Sequence, residues 1–153
     1  EVRAVAVNYP DVELETANID ACAMHMVQDP EHFDVILATN VFGDILSDIA
    51  VGLAAGLGLA PSGCIGDRWA YFEPVHGTAP DIAGKGIANP CATIMSTAMM
   101  LRYLGETKAA DALDAAVWDV LNDGKVRTGD IGGKATSAEM TAAIIAAVQA
   151  RLG

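Results

Sequence analysis

Phe33-Asp34-Val35-Ile36-Leu37-Ala38-Thr39-Asn40-Val41-Phe42-Gly43-Asp44-Ile45-Leu46-Ser47-Asp48 is the stretch that decides the fold. Phe33 to Ala38 is an apolar run of strand length between polar residues, so it reads as a buried strand. A helix is expected from about Gly43 to Ala55, where Gly56, Gly58 and Pro61 break it. A strand feeding a helix is the unit of an α/β protein. Upstream, Val12 to Glu15 alternate apolar and acidic, a second strand signal after the turn-forming Tyr9-Pro10-Asp11. Ile19 to Gln28 read as a helix, with Asn18 as N-cap and Asp29-Pro30 as the stop.

Downstream the chain turns helical. Asp67 to Phe72 is expected as a strand, and Glu73 to Asn89 as a loop dense in Gly and Pro. Asn89-Pro90 starts a helix that reaches about Leu104 and ends at Gly105. Glu106 to Asn122 form the next, ending at Gly124. Thr128 to Lys134 make a glycine-rich turn, and Ser137 is expected to cap a final helix to about Arg151. From Ser137, Glu139 stands too close to complete a capping box. The shift from alternating elements to mostly helices places a domain boundary near residue 55. No internal repeat or low-complexity linker is visible.

The bulk composition fits a globular chain. Of 153 residues, 52% are hydrophobic and 19% charged, enough for a sizeable core. The formal net charge is -11, with no run of Lys or Arg, so nucleic-acid and membrane partners are not expected. Cys22, Cys64 and Cys91 are odd in number and lack CxxC spacing, which argues for a reducing, cytoplasmic setting over a disulfide framework or zinc site. The apolar stretch from Ile49 to Ala60 is Gly-interrupted and falls short of the roughly 20 residues that span a bilayer. Glu1 is not Met, and Ala4 to Val7 read like the tail of an element under way; the chain is expected to begin inside a larger protein.

Asp44 and Asp48 are four residues apart and so share a helix face. Like charges at that spacing repel, and a cation between them removes the penalty. Oxygen ligands of this kind suit Mg²⁺ or Mn²⁺ rather than zinc. Asp20, on the preceding helix, can supply a third carboxylate. The plainer alternative stays open: Asp44 as a helix cap and Asp48 as a solvated residue.

Glu73-Pro74-Val75-His76-Gly77-Thr78-Ala79-Pro80-Asp81-Ile82-Ala83-Gly84-Lys85-Gly86 is a second constellation. Gly77, Gly84 and Gly86 permit close backbone approach and positive φ. Loop N–H groups and the Thr78 hydroxyl can cradle a pyrophosphate, with His76 on a phosphate or ribose and Asp81 accepting from ribose hydroxyls. It is not a GxGxxG fingerprint. An ordinary structured loop, with His76 bonded to nearby backbone, is the competing reading. His25 and His32 have no second ligand at matching spacing.

The segments Asn40 to Asp48, Gly56 to Ser62 and Glu73 to Pro90, in this order and spacing, resemble the isocitrate/isopropylmalate dehydrogenase family. Tyr103 to Glu106 and Thr128 to Gly133 look closest to its homoisocitrate and isopropylmalate branches, with tartrate dehydrogenase also possible. The resemblance covers nearly the whole chain. It implies an α/β fold with an isopropylmalate dehydrogenase-like twisted mixed sheet flanked by helices, present here only in part. Residues 1–55 would be the C-terminal part of a small dimerisation and metal-binding domain, and 56–153 the C-terminal part of a large NAD-binding domain.

Residue by residue, the resemblance implies Asp44 and Asp48 as metal carboxylates for Mg²⁺ or Mn²⁺. It gives Asp20 as the acid serving the partner's site in a homodimer, and Asp20 and Asp44 as the catalytic pair. Glu73 would lie on the nicotinamide side of NAD. His76, Gly77, Thr78 and Ala79 would wrap its pyrophosphate and adenosine, and Asn89 would reach the adenine. Asp81 and Ile82 match members that use NAD, where NADP-using members typically carry Lys-Tyr; a carboxylate accepts from a free 2′-hydroxyl and repels a 2′-phosphate. The activity implied is oxidative decarboxylation of a 2-hydroxy di- or tricarboxylate. The family's substrate arginines and its catalytic tyrosine and lysine would precede Glu1, so this chain alone is expected to be inactive. Two alternatives are kept. One is an inactive regulatory or assembly subunit. The other is a Mg²⁺-dependent phosphoryl-transfer enzyme, which would need a phosphate-binding Lys or Arg near the carboxylates.

Overall fold

Residues 1–53 and 56–153 are described by a computed structural model, in two compact units, Glu1–Ala50 and Val51–Gly153. The first holds α1 (Val2–Ala6), α2 (Ile19–Gln28), a 3₁₀ turn (Pro30–His32) and most of α3 (Asn40–Leu53). Cys22 and Met26 of α2 meet Leu46 of α3, with Ile19, Ala23, Phe33, Ile49 and Ala50 packed around them. These positions recur at three- and four-residue intervals, one stripe per helix. Asn18 precedes α2 without a side-chain capping bond, and the helix stops at Asp29, the residue that Pro30 pushes out of the helical region.

The two strands expected in this unit are not formed. Val12–Glu15 and Phe33–Ala38 have no ladder partner among the described residues, and a strand without a neighbour cannot satisfy its backbone. The apolar pattern is real but uncovered: Val35 is 85% exposed and Leu37 73%. Helix α3 begins at Asn40, earlier than Gly43, because nothing in Asn40 to Phe42 breaks it. The expected end at Ala55, and with it the boundary near residue 55, lies outside the described residues.

In the second unit, β1 (Pro61–Ile65) and β2 (Ala70–Pro74) form an antiparallel hairpin, from Pro61↔Pro74 to Ile65↔Ala70. The strand expected at Asp67 starts at Ala70 instead. Asp67 to Trp69 are spent on the turn, which Gly66 N–H closes onto the Trp69 carbonyl at 3.0 Å. β2 alternates, with Ala70, Phe72 and Pro74 on its covered face. A Cβ on Gly63 would lie 2.9 Å from the Phe72 ring, so glycine lets that ring cross the neighbouring strand. Phe72 then reaches Tyr103, ring centroids 5.7 Å apart.

Behind the hairpin, α4 (Cys91–Tyr103), α5 (Thr107–Asp123) and α6 (Ser137–Leu152) enclose the main core of Cys91, Ala116, Val117, Met140 and Ile144. Gly105 and Gly124 take φ of 87° and 70° at the ends of α4 and α5, the left-handed stop only glycine adopts cheaply. The cap of α6 is one residue earlier than expected. Thr136, not Ser137, accepts from Glu139 N–H at 3.2 Å, and Glu139 accepts back from Thr136 N–H at 2.8 Å. The shift puts Glu139 at the third helical position, so the capping box is complete. The chain is α/β, mostly helical with one small sheet, a partial version of the expected architecture. Among the described residues no helix is long and apolar enough to cross a membrane.

Candidate functional site

Asp44 and Asp48 stand one turn apart on α3, both exposed. Asn40 Nδ2 donates to Asp44 Oδ2 at 3.1 Å, which leaves Oδ1 free. Among the described residues neither carboxylate pairs with a cation. The first fifty residues carry ten acids against Arg3 alone, so nothing local neutralises the pair. Asp20 opens α2 and accepts from Ala21 N–H at 2.9 Å. It does not complete a trio within the chain: among the described residues no three His, Cys, Asp or Glu side chains converge as a metal requires. Two oxygen donors on one face still fit Mg²⁺ or Mn²⁺, which bind through one or two carboxylates and fill the shell with water or substrate oxygens.

The glycine-rich segment belongs to the second unit. Glu73, the last but one residue of β2, is exposed, and its carbonyl accepts from buried Ser96 of α4 at 2.8 Å. His76 Nδ1 bonds the Gly77 carbonyl at 2.9 Å, the local backbone contact of an ordinary structured loop. Gly84 and Gly86 take φ of 75° and 64°, while Gly77 does not use the left-handed region. Ala79 does, at φ 44°, the one non-glycine residue to do so among those described. A residue held there costs about 1 kcal/mol or more and persists only where its surroundings fix it. Ala79 leads into the 3₁₀ turn Pro80–Ile82, which leaves Asp81 exposed. Nothing lies within 4 Å of a Cβ built on Gly77, Gly84 or Gly86, so the segment keeps open space beside its backbone. Thr78 is exposed within it. These features fit an anion held by backbone and hydroxyl groups.

The far end of the segment is tied down. Ser137 N–H donates to Gly86 O at 2.8 Å, and Ser137 Oγ donates to Ala88 O. Asn89 is only 8% exposed. Its Oδ1 accepts from the N–H of Cys91, the first residue of α4, at 3.0 Å, and its Nδ2 donates to Asp130 Oδ2 at 3.0 Å. Fully buried Thr128 donates to the other oxygen of Asp130. Asp130 is a polar anchor that sequence reasoning missed. It lies 41 residues from Asn89, and no periodicity or motif spacing links the two.

Comparison with known proteins shows the family of the chain. A family model described as isocitrate/isopropylmalate dehydrogenase matches residues 1–148. The chain is 57% identical over 148 residues to the isocitrate/homoisocitrate dehydrogenase of Thermus thermophilus, covering 97% of this chain and 44% of that one. It is 50% identical over 140 residues to a mitochondrial protein of Dictyostelium discoideum named as a regulatory subunit of NAD isocitrate dehydrogenase, covering 91% and 40%. The crystal structure of isocitrate dehydrogenase from Methylococcus capsulatus superposes with a TM-score of 0.93 at 50% identity, over 96% of this chain and 44% of that one. The chain therefore spans less than half the length of these relatives.

Proposed function

Because the chain belongs to the isocitrate/isopropylmalate dehydrogenase family, we propose that it carries the metal- and dinucleotide-binding part of an NAD-dependent enzyme that oxidatively decarboxylates a 2-hydroxy acid with a neighbouring carboxylate. The observation that carries this reading is the strained turn at Ala79, which presents an exposed carboxylate, Asp81, from an open glycine-rich segment. An acid there accepts hydrogen bonds from a ribose diol and repels a 2′-phosphate, so NAD is the cofactor and NADP is refused. Gly77, Thr78 and Ala79 hold the pyrophosphate, His76 and Asn89 the adenosine, and Glu73 flanks the nicotinamide. Ile82 supplies an apolar contact beside Asp81.

Asp44 and Asp48 bind Mg²⁺ or Mn²⁺, and Asn40 steadies Asp44 by holding one oxygen. When bound, the ion polarises the substrate's hydroxyl and carboxylate oxygens, and NAD accepts hydride. Asp20 serves the site of a second copy in a homodimer, which agrees with its standing apart from the other two acids here. Residues 1–55 act as the metal-binding and dimerisation part and 56–153 as the dinucleotide part. A cytoplasmic setting is part of the same proposal, supported by three free cysteines.

A regulatory or assembly subunit is the second reading, favoured by the Dictyostelium relative. Metal binding separates the two. Electron paramagnetic resonance titration of Mn²⁺ is expected to show one site that Asp44→Asn or Asp48→Asn weakens at least about tenfold, the effect of losing one charged ligand. Equal binding by wild type and both variants would remove the enzyme reading.

A further inference from the structure

Asn89 is an amide whose orientation is fully determined. An amide can flip, but Cys91 N–H requires an oxygen at one end and the Asp130 carboxylate requires an N–H at the other. One Nδ2 hydrogen is left over, so Asn89 keeps a donor to offer. Removing Asp130 lifts that restriction: the amide then rotates or bonds water, and its donor is no longer aimed.

Asp130 is itself held. Thr128, with no solvent exposure, donates to one of its oxygens, and Asn89 takes the other. Gly58, in the 3₁₀ turn Leu57–Leu59, seats against the same pair. A Cβ there would collide with Asp130 and would lie 2.9 Å from Asn89 Cβ and 3.1 Å from its Nδ2. Real Cβ atoms do not approach so closely, so even the smallest side chain at position 58 displaces the pair. Two segments distant in sequence thus converge on one amide.

We propose that Asp130 is a positioning residue for the adenosine half of the cofactor: with Thr128 behind it and Gly58 beside it, it aims the Asn89 amide as a donor. This rests on the reading of Asn89 as an adenosine contact given above. Asp130 itself touches no ligand and acts only through Asn89.

Calorimetry with NAD, adenosine monophosphate and nicotinamide mononucleotide tests it. Asp130→Ala is expected to weaken NAD and adenosine monophosphate about tenfold, the size of one oriented hydrogen bond. Nicotinamide mononucleotide affinity stays unchanged, which a general loss of structure would not allow. Asp130→Asn keeps an acceptor for Asn89 and restores most of the NAD affinity. Gly58→Ala removes no polar group, yet weakens the two adenylate ligands in the same proportion, and it carries the comparison if Asp130→Ala does not fold. If wild type binds NAD and both Asp130→Ala and Gly58→Ala match it, the proposal is wrong and the cofactor reading stands. Equal weakening of all three ligands also overturns it. If wild type binds none of them, the cofactor reading fails and takes the proposal with it.

Discussion

Cys64 and Cys91 carry the same thiol and face opposite fates. Cys91 lies at the head of α4 with no exposure, and burial, followed by the Asp130 carboxylate, pushes its pKa up to about 11. Cys64 is exposed on β1, opposite Tyr71. Thiolate is the nucleophile, so iodoacetamide at pH 8 is expected to label Cys64 and to spare Cys91 until the protein unfolds. Mass mapping that finds Cys91 labelled first would contradict the packing described. The same shift sets a pH dependence. A thiol pKa raised in the folded state contributes stability that is complete below the unfolded value of 9.0 and is lost as pH rises toward about 11. Thermal unfolding followed across that range reports it, and Cys91→Ala flattens the fall. At this scale the sequence was readable where a residue acts on its neighbours. Asn89 beside Pro90 announces a helix start, and α4 begins there one residue later than expected: Pro90 takes the cap position, and Asn89 accepts from Cys91 N–H from the residue before it. Asp130 was not readable, because its importance comes from a partner brought close only by the fold.

Elements show the same division. Helix α2 and the stops at Gly105 and Gly124 follow from local chemistry, and the structure has them where residue type places them. The strands of the first unit needed a partner strand, and an apolar run alone does not specify one. β1 was hidden for the converse reason. Pro61-Ser62-Gly63-Cys64 has poor strand propensity, and pairing with β2 overrides it. The cap of α6 turns on one residue of register. Thr136→Ala is expected to cost about 1 kcal/mol, with Ser137→Ala losing the tie to Ala88 rather than the capping box. Glu139 adds a pH signature: its bonds to Thr136 N–H, then to the Thr136 hydroxyl, hold its pKa below the ordinary carboxylate value. A depressed acid stabilises the fold above that ordinary value and loses the contribution as pH falls through the lowered one. Urea unfolding at pH 7 and near pH 3 should therefore show a smaller Thr136→Ala penalty in acid. An equal penalty at both would mean that the box contributes through the hydroxyl alone.

For the whole molecule, charge and apolar surface are unevenly shared. Residues 1–50 hold ten acids and Arg3, and the same unit exposes Val35 and holds an apolar cleft of about 340 Å³ lined by Val2, Val5, Tyr9, Val12, Leu14 and Leu37. The second unit is the better-filled one, its three helices closed over a core of Cys91, Val117, Met140 and Ile144. The residues proposed to bind the cofactor all belong to that unit and the carboxylates proposed for the metal to the other, so each claim is tested alone. The central one is that the segment from Glu73 to Asn89 binds NAD. Isothermal titration of the chain with NAD and with NADP, each with and without Mn²⁺, tests it most directly. NAD should bind and NADP should not, and Asp81→Ala should narrow the gap between them. Equal binding of the two, or binding of NADP alone, would contradict the role given to Asp81 and the NAD-dependent reading built on it.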